Sequence, residues 1–174
     1  MTCLIIAESA IFIIFVVAYV FYLGKSLSGP TPQQVLELPI LNTICLLSSS
    51  ATITFAVRSL RKGDTKNFGI WWLVTIALGS YFLFGTGREW QRLIYDKGLT
   101  IQTNLFGTTF YSLVGLHASH VVVGLLALLI VMGFSFAGAV KQEHADRAHV
   151  LSLYWHFVDV VWVAVFTVVY IIGR

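Results

Sequence analysis

Apolar residues run along this chain in five long blocks, at about residues 3–23, 38–57, 70–87, 106–136 and 148–172, separated by short polar stretches. Each block is near or above the roughly 20 residues that an α-helix needs to cross a bilayer core. None alternates polar and apolar positions over about ten residues, the pattern of an outer-membrane barrel strand. Each block is therefore predicted to be a helix, the element that satisfies its own backbone hydrogen bonds in hydrocarbon. The predicted fold class is all-α, a polytopic transmembrane helix bundle of five spans, with one transmembrane domain over 1–174.

Composition strengthens that reading. Hydrophobic residues make up 57% of the chain and charged residues 11%, and the mean hydropathy of +0.84 lies outside the range of an ordinary soluble domain. The first block is too long for a signal-peptide core, follows no basic segment and ends at Tyr22-Leu23-Gly24-Lys25 without a small-x-small cleavage site, so a retained helix is expected. Turns are expected at Gly29-Pro30-Thr31-Pro32, Gly63-Asp64 and Gly98. Cys3 and Cys45 lie inside apolar blocks without CxxC spacing, which points to packing rather than to a disulfide or thiolate metal site.

The loops carry no phosphate-cradling glycine motif, nucleophile elbow or zinc-ligand cluster, so any chemistry belongs within the membrane or to a partner chain. A net charge of +3 includes no basic run suited to nucleic acid, and no nucleic-acid partner is expected. The charges bear instead on orientation. The N-terminal side carries Arg58, Arg61, Lys62, Lys66, Lys141 and Arg147, against Lys25, Arg88, Arg92, Lys97 and Arg174 opposite, a small excess that predicts a cytoplasmic N-terminus and an external C-terminus.

Polar residues inside the blocks need a physical reason. An Asp at mid-span costs about 2.5 to 3.5 kcal/mol on insertion scales, so Asp159 is expected to face protein and to be hydrogen-bonded. His156 and Asp159 are three residues apart and share a helix face, as do His117 and His120. At 1.5 Å per residue, His120 and Asp159 differ in depth by about a turn. A polar seam between the fourth and fifth spans follows. Such a seam can act as an interhelical hydrogen-bond lock, as a haem or metal site ligated by imidazoles, or as a proton path; the lock is favoured, because His117 and His120 cannot ligate both faces of one haem. Glu8 lies about 10 Å into the first helix, too deep for a simple end charge. It is expected to be a neutral acid bonded across a helix interface, or a proton-loading or lipid-anchoring site. Arg88, Glu89 and Trp90 end the third block and read as an interfacial anchor. Ser48-Ser49-Ser50 and the Gly115/Ser119 pair suggest close helix packing.

Several stretches together resemble subunit III of the haem-copper terminal oxidases. Tyr154-Trp155-His156-Phe157-Val158-Asp159-Val160-Val161-Trp162 is similar to the family's most recognisable segment. Ala7-Glu8-Ser9, Leu38 to Thr43 running into Ser48-Ser49-Ser50, Gly107-Thr108-Thr109-Phe110 and Gly115 to Val121 follow in the family's order. The chain departs from the family at Ala118-Ser119 between two histidines, at Thr86, and at His149 where many members carry Glu.

The resemblance implies a five-helix bacterial form in the plasma membrane. It also implies an accessory subunit without its own haem or copper, no catalytic or metal-ligating residue, and partners that include oxidase subunits I and II, which hold those cofactors, membrane phospholipids in an interhelical cleft, and other respiratory complexes. Activity would belong to the complex, a proton-pumping cytochrome c or quinol oxidase. Glu8 matches a family glutamate near the lipid cleft and the side of proton uptake. His117, His120, His156 and Asp159 match a set whose implied role is structural. The readings of a different class are an independent di-histidine membrane cytochrome and a lipid- or proton-handling transporter.

Overall fold

A computed structural model describes residues 2–25, 32, 36 and 38–173. Among these residues five helices are long and apolar enough to cross a membrane: α1 (Thr2–Tyr22), α2 (Ile40–Arg61), α3 (Thr65–Tyr95), α4 (Leu105–Phe136) and α5 (Ala145–Phe166), with a short turn of 3-10 helix (Gln142–His144) before α5 and a π-helical extension (Thr167–Ile172) after it. No strand occurs among the described residues. The expected turn at Gly29-Pro30-Thr31 lies outside them.

The helices outrun the apolar blocks that predicted them. The block at 70–87 is the middle of a helix of 31 residues, about 46 Å at 1.5 Å per residue against a hydrocarbon core of roughly 30 Å. Hydropathy marks the part of a helix in lipid, whereas its ends are set by capping. Gly63 adopts φ +78°, a left-handed conformation that closes α2. Asp64 then accepts a 3.0 Å hydrogen bond from the Asn67 backbone N–H and one of 2.5 Å from its side-chain amide, starting α3. These bonds hold the Asp64 carboxyl below its ordinary pKa. Asn104 caps α4 in the same way, accepting from the Gly107 N–H at 2.8 Å.

Residues spaced three and four apart build the buried faces. On α2 these are Leu46, Ser49, Ile53, Ala56, Val57 and Leu60; on α3 they are Phe68, Trp72, Thr75, Gly79, Phe82 and Thr86. That spacing is one stripe of a 3.6-residue helix. The α2/α3 hairpin is the most extensive pair, α3 also packs on α4, and α5 lies against α2 and α4. Helix α1 rests on α4 and α5. Among the described side chains of α1 only Phe12 and Tyr19 are buried, so most of its apolar surface faces outward. Cys3 is exposed on that surface, contrary to the packing role expected of it.

Trp155 joins four of the helices. Its ring is fully buried, and its indole N–H donates to Ser49 Oγ of α2 at 2.7 Å. A Cβ built on Gly79 of α3 or on Gly124 of α4 would stand 2.9 Å from the Trp155 ring. Both glycines therefore form the walls of a slot for one indole. Trp72 donates to the Leu128 carbonyl at 2.9 Å, tying α3 to α4. Thr52 and Thr75 meet at 2.7 Å between α2 and α3, and Trp162 donates to Thr43 at 3.1 Å between α5 and α2.

Filling the slot should be costly. Gly79→Val or Gly124→Val is expected to lower stability by about 1–3 kcal/mol through overpacking. Gly133→Ala, where nothing lies within 4 Å of the new carbon, should not destabilise. Loss of helical circular dichroism on heating the purified protein in detergent compares the three; equal midpoints would show that the slot is not tight.

Candidate functional site between the helices

The single seam expected between the fourth and fifth spans is not what the structure contains. Its four residues separate into two polar clusters and one caged histidine. Positions i and i+3 on a helix differ by about 60° in azimuth, enough to send His117 into the core and His120 towards α1.

The first cluster joins α1, α4 and α5. Glu8 Oε2 lies 3.0 Å from His120 Nε2, and His120 Nδ1 lies 2.8 Å from the Leu116 carbonyl one turn back. A carbonyl oxygen only accepts, so Nδ1 carries a proton. Nε2 then either accepts from a neutral Glu8 carboxyl or, as part of an imidazolium, donates to a carboxylate. The two forms differ by the position of one proton, and each has zero net charge. Tyr154 donates its hydroxyl proton to the His120 backbone carbonyl at 3.2 Å, and the Phe12 ring lies 5.0 Å from the imidazole.

The pair is within reach of the outside. The side chains of His120 and Glu8 are 14% and 24% exposed. Both line an open cavity of about 230 Å³ with Leu4, Ser119, Val123 and Tyr154. Glu8 is six residues from the start of α1, about 9 Å along the helix axis. The cavity therefore opens towards the N-terminal side of the membrane.

The second cluster joins α2 to α5. Ser50 donates to Asp159 Oδ2, which uses the only hydroxyl proton, so the 2.9 Å contact with His156 Nδ1 is a bond donated by the imidazole. Thr54 Oγ1, which donates to the Ser50 carbonyl at 2.9 Å, is 3.3 Å from His156 Nε2. Asp159 is 3% exposed and its Oδ1 has no hydrogen-bond partner among the described residues. Asp159 thus faces protein and is hydrogen-bonded, but to α2 rather than to α4.

His117 belongs to neither cluster. It is fully buried, with both ring nitrogens unpartnered among the described residues. Its ring lies over Trp162 at 4.9 Å and 33°, with Phe82 edge-on at 5.9 Å. The ligation reading gains nothing from this arrangement: the ring nitrogens of His120 face the Leu116 carbonyl of its own helix and Glu8 of α1, while those of His156 face Ser50 and Thr54 of α2.

At the other end of the bundle, Arg88, Glu89 and Trp90 part company. Arg88 is exposed and its guanidinium lies 5.8 Å from the Phe84 ring. Glu89 accepts a 2.9 Å hydrogen bond from the Tyr170 hydroxyl in the π-helical extension. Trp90 packs on Tyr111 at 5.4 Å, with Gly115 beside it. Glu89 and Trp90 are thus turned towards other helices, because α3 continues to Tyr95 instead of ending at the anchor. Gly115 faces Trp90, while Ser119 is exposed and bonds its own helix, so the small-residue pair does not make one helix contact.

Sequence reasoning missed Ser50, Thr54, Tyr154 and Tyr170 as partners. Ser49 and Ser50 were legible as small packing residues; that both are hydrogen-bond partners of α5 could have been inferred from the need to satisfy Asp159 at similar depth. Tyr154 and Tyr170 gave no such signal among so many aromatics.

The profile of the cytochrome c oxidase subunit III family matches residues 1–174. The chain is similar to cytochrome c oxidase subunit 3 of Bacillus sp., 35% identical over 168 residues that cover 95% of this chain and 81% of the relative. Against cytochrome c oxidase subunit 3 of Synechocystis sp. it is 38% identical over 172 residues, 97% and 72% of the two chains. Against cytochrome bo(3) ubiquinol oxidase subunit 3 of Pseudomonas aeruginosa it is 37% identical over 158 residues, 89% and 75%.

Ser50 supports both acidic and basic members of the second cluster. Ser50→Ala strands the buried Asp159 Oδ2 and the partly exposed His156 Nδ1 together, and should cost about 1–3 kcal/mol for the buried carboxyl oxygen left unsatisfied. Ser48→Ala, at an exposed position on the same helix, should be neutral. Thermal stability of the two variants in detergent makes the comparison, and equal stability would mean that the α2/α5 cluster contributes nothing.

Proposed function

The chain belongs to the cytochrome c oxidase subunit III family, and from that membership we propose that it is an accessory, non-redox subunit of a proton-pumping haem-copper terminal oxidase that reduces O2 to water. On this reading haem and copper reside in subunits I and II, and catalysis belongs to the complex rather than to this chain alone. The chain stabilises subunit I, holds phospholipids between helices and supports proton uptake. Relatives named for cytochrome c oxidase and for ubiquinol oxidase are both similar to it, so the reading covers either electron donor. A bacterial plasma-membrane location with a cytoplasmic N-terminus accords with the relatives and with the charge excess of the N-terminal side.

The Glu8–His120 pair carries the functional part of this reading. A carboxyl and an imidazole that share one proton at zero net charge avoid most of the cost of a lone charge in the membrane. They can also exchange that proton with a donor in the adjoining cavity without leaving either heavy atom unpaired. With the N-terminus cytoplasmic, the cavity opens on the side from which protons are taken up. The apolar groove between α1 and α5, about 430 Å³ and lined by Ile5, Phe12, Val16, Phe157, Val160 and Val161, supports the lipid-holding part, since its lining suits acyl chains.

Two measurements test the reading. Purification from the native membrane should recover this chain with subunits I and II, identified by mass spectrometry, and the chain separated from them should show no haem absorbance; bound haem would instead favour an independent cytochrome. In the assembled complex, Glu8→Ala should leave the initial rate near normal and shorten several-fold the time to turnover-dependent inactivation. His120→Ala should shorten it too, because the carboxyl loses its proton partner. An unchanged lifetime in both variants would remove the pair from the functional site.

A further inference from the structure

On the side of the membrane away from Glu8, a groove of about 380 Å³ lies between the start of α2 and the end of α3, lined among others by Leu38, Asn42, Tyr81, Phe84, Arg88 and Arg92. We propose that this groove is a binding site for one phospholipid of the leaflet on that side, with Arg88 holding the phosphate and Phe84 and Tyr81 flanking the upper acyl chain. The site is separate from the α1/α5 groove and from the Glu8 pair, and the proposal does not rest on the oxidase reading.

Depth supports a lipid. Lys66 and Arg88 are consecutive charges on α3, with no Asp, Glu, Lys or Arg between them. Their separation of 22 residues is about 33 Å along the helix, close to the roughly 30 Å of a hydrocarbon core. Arg88 therefore stands at the level of the lipid phosphates. Phe84 and Tyr81, four and seven residues deeper on the same face, are 64% and 44% exposed and lie at the level of the first acyl carbons. One groove thus presents a cation where a phospholipid has its anion and aromatic surface where it has its chains.

Chemistry and shape agree with the depth. A guanidinium binds phosphate oxygens through paired N–H donors, and the contact of Arg88 with the Phe84 ring at 5.8 Å keeps that group beside the groove. Arg92 adds a second positive charge one turn further out. Glu89 is the carboxylate on the wall and accepts from Tyr170, so the two guanidiniums outnumber it. The floor is polar: α2 and α3 approach so closely that a Cβ on Gly85 would collide with the Asn42 carboxamide. The first turn of α2, with no acidic residue and no side-chain cap, turns the positive end of a helix towards the same end of the groove.

The full chain, with whichever subunits accompany it from the membrane, is reconstituted in nanodiscs containing phosphatidylglycerol that bears a photoactivatable group near the head of one acyl chain. Cross-linked peptides are then mapped by mass spectrometry. Labelling is expected within residues 38–42 and 81–92. Arg88→Gln should reduce it about tenfold, the worth of one charge-assisted contact, Arg88→Lys should restore part of it, and Lys97→Gln should leave it unchanged. Phe84→Ala provides a second variant should Arg88→Gln not fold, and should redistribute the label away from residues 81–84. Three outcomes would overturn the proposal: labelling that Arg88→Gln and Phe84→Ala leave intact, labelling abolished by excess inorganic phosphate, which would make this a free-anion site, or a groove labelled only after accompanying subunits are stripped, which would make it a protein interface.

Discussion

The arrangement of this bundle depends on one indole in one slot. Trp155 enters between Gly79 and Gly124, where neither position has room for a side chain, and its N–H is bonded by Ser49. In a membrane there is little hydrophobic drive for helices to associate, so close packing and interhelical hydrogen bonds decide their placement. Trp155 supplies both to α5. Once its azimuth is fixed, its chain neighbours are fixed too, because successive residues are turned by about 100°. Tyr154 then points to the His120 carbonyl on α4 and His156 to Ser50 on α2. The two polar clusters are thus set on opposite sides of a single buried ring.

The clusters meet the cost of polarity in the membrane in different ways. Glu8 and His120 cancel charge by sharing one proton between two groups. Asp159 instead relies on a hydroxyl from α2, with one carboxyl oxygen still unpartnered among the described residues. His117 has neither arrangement, and its surroundings are the faces and edges of Trp162, Phe82 and Phe12. The Glu8–His120 pair is partly exposed and borders an open cavity, and His156 is partly exposed too, whereas Asp159 and His117 are buried within the packing.

How far the sequence disclosed this follows from what hydropathy measures. It reports depth, so five spans and the similar levels of His120 and Asp159 were legible. It does not report azimuth between helices, so pairing His120 with Asp159 rather than with Glu8 was a choice that depth alone leaves open. Nor does it report helix ends: α3 runs from Thr65 to Tyr95 because Asp64 caps one end and its charged residues tolerate helix beyond the lipid. Arg88-Glu89-Trp90 therefore read as a terminus, although the chain there is still helical and Tyr170 reaches back to Glu89. Family resemblance singled out Glu8, and its contact with His120 follows only from the placement of α1 against α4.

Phe12 links the parts of the molecule nearest Glu8. It is one helical turn beyond Glu8 on α1, its ring lies 5.0 Å from His120 and 6.5 Å from His117, and it lines the apolar groove between α1 and α5. Any chain that occupies the groove must therefore press on the same ring that borders the Glu8–His120 pair. Few of the described residues of α1 are buried, and its attachment rests on α4 and α5 alone among the larger contacts. A shift of α1 would change the 3.0 Å spacing of carboxyl and imidazole before it disturbed the Trp155 slot. The Glu8–His120 contact and the α1/α5 groove thus share one ring, and the Trp155 slot does not include it.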